Sequence, residues 1–240
     1  PEAHANGDRE MTTSGTNNFN PSGGELIAYA FGMCGIRRTA ILQEHLTDAR
    51  MALNLLLGAW GNSTPNLWTI DLVEVTLTAG QATYDVDADT VMILDAYIRT
   101  GADEQTTDRI IWPISRTEYA SMPNKVLQAP PTVYWFDRQL APTITLWQVP
   151  DDQQGYLLRY YRCVTIQDAN TIGSQTIDIS PLWMNAIALG LAAQLAISYA
   201  PERATALDAK AQQWLMEARE QNTENVPLYL MPMVGGYYPR

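Results

Sequence analysis

Apolar residues change their period twice along this chain, and the changes divide it. Leu46, Ala49, Leu53, Leu56, Leu57 and Trp60 recur at spacings of three and four, which predicts an amphipathic helix from about Ile41 or Thr47 to Trp60. Gly61-Asn62 closes it and Pro65 prevents its resumption. A shorter helix precedes it over Gly24–Met33, with Ser22 as N-cap, a partly apolar face of Leu26, Ile27, Tyr29, Ala30 and Met33, and Gly35 as terminator. Between Leu67 and Ile166 the period falls to two. Val73, Val75 and Leu77 alternate with polar neighbours, and Ala79-Gly80 turns the chain toward Ala82–Val86, a pattern that predicts a hairpin. Val91–Arg99 and Arg109–Ile114 are further strands, Ser115 caps a single helical turn at Arg116–Ser121, and Thr132–Asp137 with Thr143–Val149 predicts a second hairpin. Gly155–Ile166 is the last strand.

Helical spacing returns at Ser180-Pro181, an N-cap followed by Pro at the first helical position. Pro201 repeats the device, so one helix ends at Ala200 and another runs over Glu202–Asn222 with Leu207, Ala211, Trp214, Leu215 and Ala218 on one face. The fold class is α+β: a helical core from the two ends of the chain, an inserted antiparallel β domain, and an extended C-terminal tail. The expected divisions are 1–21 (N-terminal extension), 22–66 (helices), 67–179 (β domain), 180–225 (helices) and 226–240 (tail). Residues 1–10 precede Met11, which reads as a natural start.

Val226–Arg240 (VPLYLMPMVGGYYPR) joins apolar bulk to Pro227, Pro232 and Pro239, which break regular structure. A solvated tail would be polar. Leu228, Tyr229, Leu230, Met231, Tyr237 and Tyr238 are the candidate partner-binding residues, since large side chains on a proline-stiffened segment dock with little loss of entropy. The alternative is that the segment folds back on its own domain.

The formal net charge of −11 argues against gripping nucleic acid through phosphates, which needs clustered Lys and Arg. It suits a passage that repels DNA, or simple solubility. Cys34 and Cys163 are too few for a disulfide framework and read as buried small hydrophobes. No secretory signal is evident, and Leu182–Ala200, interrupted by Asn185, Gln194 and Ser198, reads as a buried helix and not a membrane span. Its Ala186, Ala188, Gly190, Ala192, Ala193 and Ala196 permit close helix approach.

Nothing points to catalysis, a cofactor or a metal. His4 and His45 are the only histidines, and His45, among Glu44, Leu46 and Asp48, reads as a surface or capping residue. Asp85, Asp87 and Asp89 share one side of an extended segment and Asp151-Asp152 lie in a turn, but neither cluster has the pattern of a calcium loop, and both read as solvated. Trp112, Tyr134, Trp135, Phe136, Trp147, Tyr156, Tyr160 and Tyr161 concentrate in the β domain, about half of them expected inside and the rest available for a carbohydrate or protein contact.

Several stretches resemble the head-to-tail adaptors of tailed bacteriophages, also described as packaged-DNA-stabilisation proteins of short-tailed phages. They are DARMALNLLLGAWGN (Asp48–Asn62), NLWTIDL (Asn66–Leu72), SRTEYASMPNK (Ser115–Lys125), PPTVYWFDRQLAPTITLWQVPD (Pro130–Asp151), LRYYR (Leu158–Arg162) and YAPER (Tyr199–Arg203). Their joint order from Met11 to about Glu220 is the specific signal; Gln148 stands where many relatives are expected to carry Pro. The resemblance implies a non-enzymatic virion protein: a homo-oligomeric, dodecameric ring below the portal protein that extends the DNA channel, helps retain packaged double-stranded DNA and offers a platform to a tail tube, nozzle or tail fibre protein. It implies assembly in the host bacterial cytoplasm, no membrane and no cofactor. Leu53, Leu56, Trp60, Gly190 and Ala193 are the candidate ring-packing residues. The competing reading is a virion-associated glycan-binding or peptidoglycan-degrading protein; a tail-tube or capsid subunit is a third.

Overall fold

The computed structural model describes residues 19–63, 67–101, 106–169 and 175–223. The tail Val226–Arg240 and residues 1–18 of the expected N-terminal extension 1–21 lie outside the described residues. Helices α1 (Gly23–Met33) and α2 (Gln43–Ser63) come first. Seven strands follow: β1 (Ile70–Thr76), β2 (Thr83–Asp85), β3 (Thr90–Thr100), β4 (Thr107–Pro113), β5 (Val133–Asp137), β6 (Thr143–Trp147) and β7 (Tyr156–Val164), with the short helix α3 (Arg116–Ser121) between β4 and β5. A 3₁₀ turn at Pro181–Trp183 leads into α4 (Met184–Tyr199), and α5 (Pro201–Gln221) completes the described fold. The chain is therefore α+β, as its periodicities predict.

The helix starts have local chemical causes. Ser22 Oγ accepts the Glu25 N–H at 3.3 Å while the Glu25 carboxylate accepts the Ser22 N–H at 2.9 Å, a closed capping box. Ser115 and Glu118 repeat it at α3. At α2 the cap is His45, whose Nδ1 accepts the Leu42 N–H at 2.8 Å. Pro opens both the 3₁₀ turn at Pro181 and α5 at Pro201.

The sheet runs in the order β1-β7-β3-β4-β5-β6-β2 and curls around its own core. Pairing is antiparallel except between β4 and β5, where Trp112 and Pro113 lie parallel to Val133 and Tyr134. The β5–β6 hairpin forms as expected, with Val133 opposite Trp147. The expected hairpin between Val73–Leu77 and Ala82–Val86 does not form: β1 pairs with β7 and β2 with β6. A turn does occur at Gly80, whose φ is +80°. It carries the chain away from β1, because Leu77 N–H bonds to Tyr156 O and Gly80 N–H to Pro150 O, each at 2.9 Å. Alternation identified the strands, but their partners lay far off in sequence. The Trp147–Gln148 peptide is cis.

Two apolar clusters result. One lies inside the curled sheet, with Ile98, Ile111, Tyr134, Ile144, Leu146, Leu158 and Tyr160. The other joins α1, α2, α4 and α5 around Ile27, Phe31, Leu53, Leu57, Trp183, Ile187 and Leu191. The segment Pro181–Tyr199 is long and apolar enough to cross a membrane by composition, yet half of its most apolar window is buried among the other helices. Trp183 sits within the helical cluster, its ring 5.4 Å from Trp60 and 5.1 Å from Trp68, which lies just ahead of β1. Both cysteines are buried, as expected.

Asp87 and Asp89 are not merely solvated loop residues. Arg162 of β7, itself buried, donates from Nε to Asp71 at 2.8 Å and from Nη1 to Asp89 at 2.8 Å and Thr90 Oγ1 at 3.0 Å, with Asp87 at 2.9 Å. One guanidinium thus pins β1 and the β2–β3 loop to β7, using the planar fork that Lys lacks. Arg162→Met is expected to lower unfolding free energy by about 2 kcal/mol, because three carboxylates lose their shared counter-charge. Arg162→Lys should recover less than half of that, measured by urea denaturation; full recovery by Lys would show that charge alone suffices.

Candidate assembly surfaces

α4 is narrow along its length, and its neighbours settle against its backbone. A Cβ added at Gly190 would lie 3.1 Å from Leu56 Cδ2, so glycine is what lets α2 rest there. On the other flank Cys34 Sγ lies 3.5 Å from Ala192 O, and burial pushes the Cys34 thiol up from its ordinary value. The small residues also leave two grooves. The first, about 410 Å³, lies between α2, α4 and α5 and is lined by Leu56, Trp60, Gly190, Ala193, Ile197 and Leu215. The second, about 580 Å³, lies between α1, α4 and α5 and is lined by Tyr29, Met33, Leu189, Leu207 and Trp214.

Four of the five ring-packing candidates from the sequence, Leu56, Trp60, Gly190 and Ala193, meet at the floor of the first groove. Leu53 is separate, fully enclosed in the subunit's own core. Sequence reasoning missed the exposed apolar residues nearby: Ile197 on the rim of the first groove is 70% exposed, and Met51 and Leu55 on α2 are 63% and 64% exposed. The signal was present, since Met51 and Leu55 sit two residues off the buried Ala49 and Leu53, on the side of the helix that should be polar.

Two motifs separated in sequence meet at the junction of α1, α2 and α4. Tyr199 Oη donates to Asp48 Oδ2 at 2.5 Å, and the His45 ring lies 4.9 Å from Tyr199 and 5.4 Å from Phe31 in edge-on geometry. His45 is accordingly a capping and packing residue. Arg203 Nη1 donates to Met33 O at 3.1 Å and sits over Gly35, whose φ of +90° turns the chain just past the end of α1. YAPER is thus a structural clasp between the start of α5, the end of α1 and the start of α2.

The sheet presents a third surface. Tyr134, Tyr156 and Tyr160 face its core, as half of the aromatics were expected to. Tyr119 stacks on Trp135 at 5.5 Å and Trp147 Nε1 donates to Pro123 O at 3.3 Å, so α3 and the loop after it cover the outer side of β5 and β6. The outer side of β1, β7, β3 and β4 is different. Leu72 lies opposite Tyr161 and Tyr97 opposite Ile110, with Trp112 next on β4; Ile110 and Trp112 are 64% and 65% exposed. Among the described residues no group of three or more His, Cys, Asp or Glu is arranged to hold a metal ion.

Residues 24–229, nearly the whole chain, match the model of the SU10 adaptor protein family. The chain belongs to that family of phage head-to-tail adaptors. No curated protein matches it at a significant level. An adaptor associates with other head and tail proteins and is a virion component at the head–tail junction, a structural role in which buried clasps and apolar faces matter more than a reactive centre.

The Asp48 contact, together with burial and the charges of Asp48 and Glu44, pushes the Tyr199 phenol up to about 12. A raised folded-state value means the contribution to stability is complete below about pH 10, the unfolded value, and is lost as pH rises through about 12. The stability difference between the native chain and Tyr199→Phe should therefore be constant below pH 10 and shrink toward pH 12. Chemical denaturation at stepped pH checks this; a difference that grows with pH would contradict the assignment.

Proposed function

We propose that this adaptor closes a ring of twelve copies between the portal protein and the tail, extending the DNA channel, helping to retain packaged DNA and presenting a platform to a tail tube, nozzle or tail fibre protein. The observation that carries the reading is the pair of unlike grooves on two flanks of α4, the first mainly apolar and the second mixed, with Asn185, Lys210 and Gln213 beside its apolar residues. A closed ring needs heterologous contact, one face of a copy meeting a different face of the next. Leu56, Trp60, Gly190 and Ala193 form the floor of one such face and Ile197 its rim, whereas Leu53 supports it from inside the subunit. The tail Val226–Arg240 docks on the portal or on a neighbouring subunit through Leu228, Tyr229, Leu230, Met231, Tyr237 and Tyr238. The net charge of −11 gives the bore a repulsive wall along which DNA slides without sequence-specific contact. The subunits are made and assembled in the host bacterial cytoplasm.

Gly190→Arg is a poor probe of the ring, because the subunit's own Leu56 would have to move. Ile197→Asp and Met51→Asp change exposed positions instead. Each should leave the circular dichroism spectrum and melting curve intact and weaken ring formation on portal particles by about tenfold or more, the effect of burying one unpaired carboxylate. Negative-stain electron microscopy with symmetry analysis and light scattering read this out; normal twelve-fold rings from both variants would refute the helical interface. A chain ending at Thr223 should remain folded and fail to bind portal, and unchanged binding would refute the docking role of the tail.

A further inference from the structure

The outer face of β1, β7, β3 and β4 gathers exposed apolar side chains across four neighbouring strands. In cross-strand register it carries Leu72, Tyr161, Tyr97, Ile110 and Trp112. The charges set among them cancel: Arg159 pairs with Glu74 and lies over the Tyr97 ring, and Arg99 binds Asp108 in a two-pronged contact of 2.7 and 2.6 Å. A contiguous apolar sheet face of this kind in a soluble protein marks a contact surface. Its neutrality selects a neutral occupant, since an acidic one would face the field of a chain with net charge −11.

This chain contains such an occupant. Val226–Arg240 has seven Leu, Met and Tyr side chains, no acidic side chain, and Arg240 as its only basic one. It also starts at the right place. Ala218, near the end of α5, shares a core with Ile166, just past β7, and with Trp183, whose ring lies tilted 5.1 Å from that of Trp68 just ahead of β1. Helix α5 packs on the 3₁₀ turn Pro181–Trp183, whose Trp183 touches Trp68, and this brings it toward the end of the sheet where Leu72 and Tyr161 lie, two or three residues into their strands. The residues after Thr223 can reach about 50 Å when extended, against about 15 Å across four strands.

We propose that, before assembly, Val226–Arg240 lies across the outer face of β1, β7, β3 and β4 of its own subunit. The sheet face and the tail then shield each other in the free subunit and are exposed together when the tail leaves for its assembly partner. This rests on the reading of the tail as a docking segment.

The test uses the full chain in solution with Ile110→p-benzoylphenylalanine, irradiated and analysed by mass spectrometry, in an equal mixture of heavy-isotope and light protein. Cross-links to residues 226–240 that are never heavy-to-light are expected. In parallel, hydroxyl-radical labelling of Trp112 and Tyr161 should rise several-fold in the chain ending at Thr223, and fall back when a synthetic peptide of residues 226–240 is added. Absence of cross-links, cross-links to another segment, heavy-to-light cross-links between copies, or unchanged labelling on truncation would each overturn the proposal. If it is overturned while the truncated chain still fails to bind portal, the tail docks as proposed above but is not stored on its own sheet.

Discussion

Close helix approach to α4 is the constraint on which the subunit depends. Gly190 admits Leu56 to the backbone of α4, and alanines at 186, 188, 192, 193 and 196 keep the rest of its surface low. Helices α1, α2 and α5 can then all touch one axis, which concentrates burial on few residues and makes even one added methyl costly. The same thinness leaves hollows on both flanks, so the feature that stabilises the subunit also shapes where another molecule can meet it.

The sheet is held by a different kind of force. Strand β7 sits between β1 and β3, and the buried Arg162 near its end binds three acidic side chains from β1 and the loop before β3. Burying that guanidinium is tolerable only because each prong has a partner. The result is a rigid curled platform with a filled interior, whose exterior is dressed by α3 on one side and left aromatic on the other.

Local chemistry was legible in the chain and distant pairing was not. Ser22 with Glu25, Ser115 with Glu118, and the two Pro helix starts are caps whose partners lie within three residues, so the sequence window that encodes them also displays them. Strand identity was equally readable, because alternation is a property of one strand. Partner choice was not: Leu77 bonds to Tyr156 and Arg162 reaches Asp89 across 73 positions. His45 read from its neighbours as a surface or capping residue, and the fold shows the capping bond together with packing against Tyr199 that its neighbours did not display. Exposed apolar positions were the hardest to see: Ile197 looks like an ordinary core residue until the structure turns it outward, and Met51 was marked only by its place opposite the buried stripe of α2.

Pairing of β1 with β7 has a consequence for how the molecule is made. Residues Ile70–Thr76 emerge early from a ribosome, yet their hydrogen-bonding neighbour Leu157–Cys163 follows more than eighty positions later, and α4, which α1 and α2 need, follows later still. Neither module can be completed while the chain is growing past its midpoint. A polypeptide cut short by interrupted synthesis lacks the partner of its first strand and the support of its first helices, so the order of the elements along the chain ties both modules to its completion.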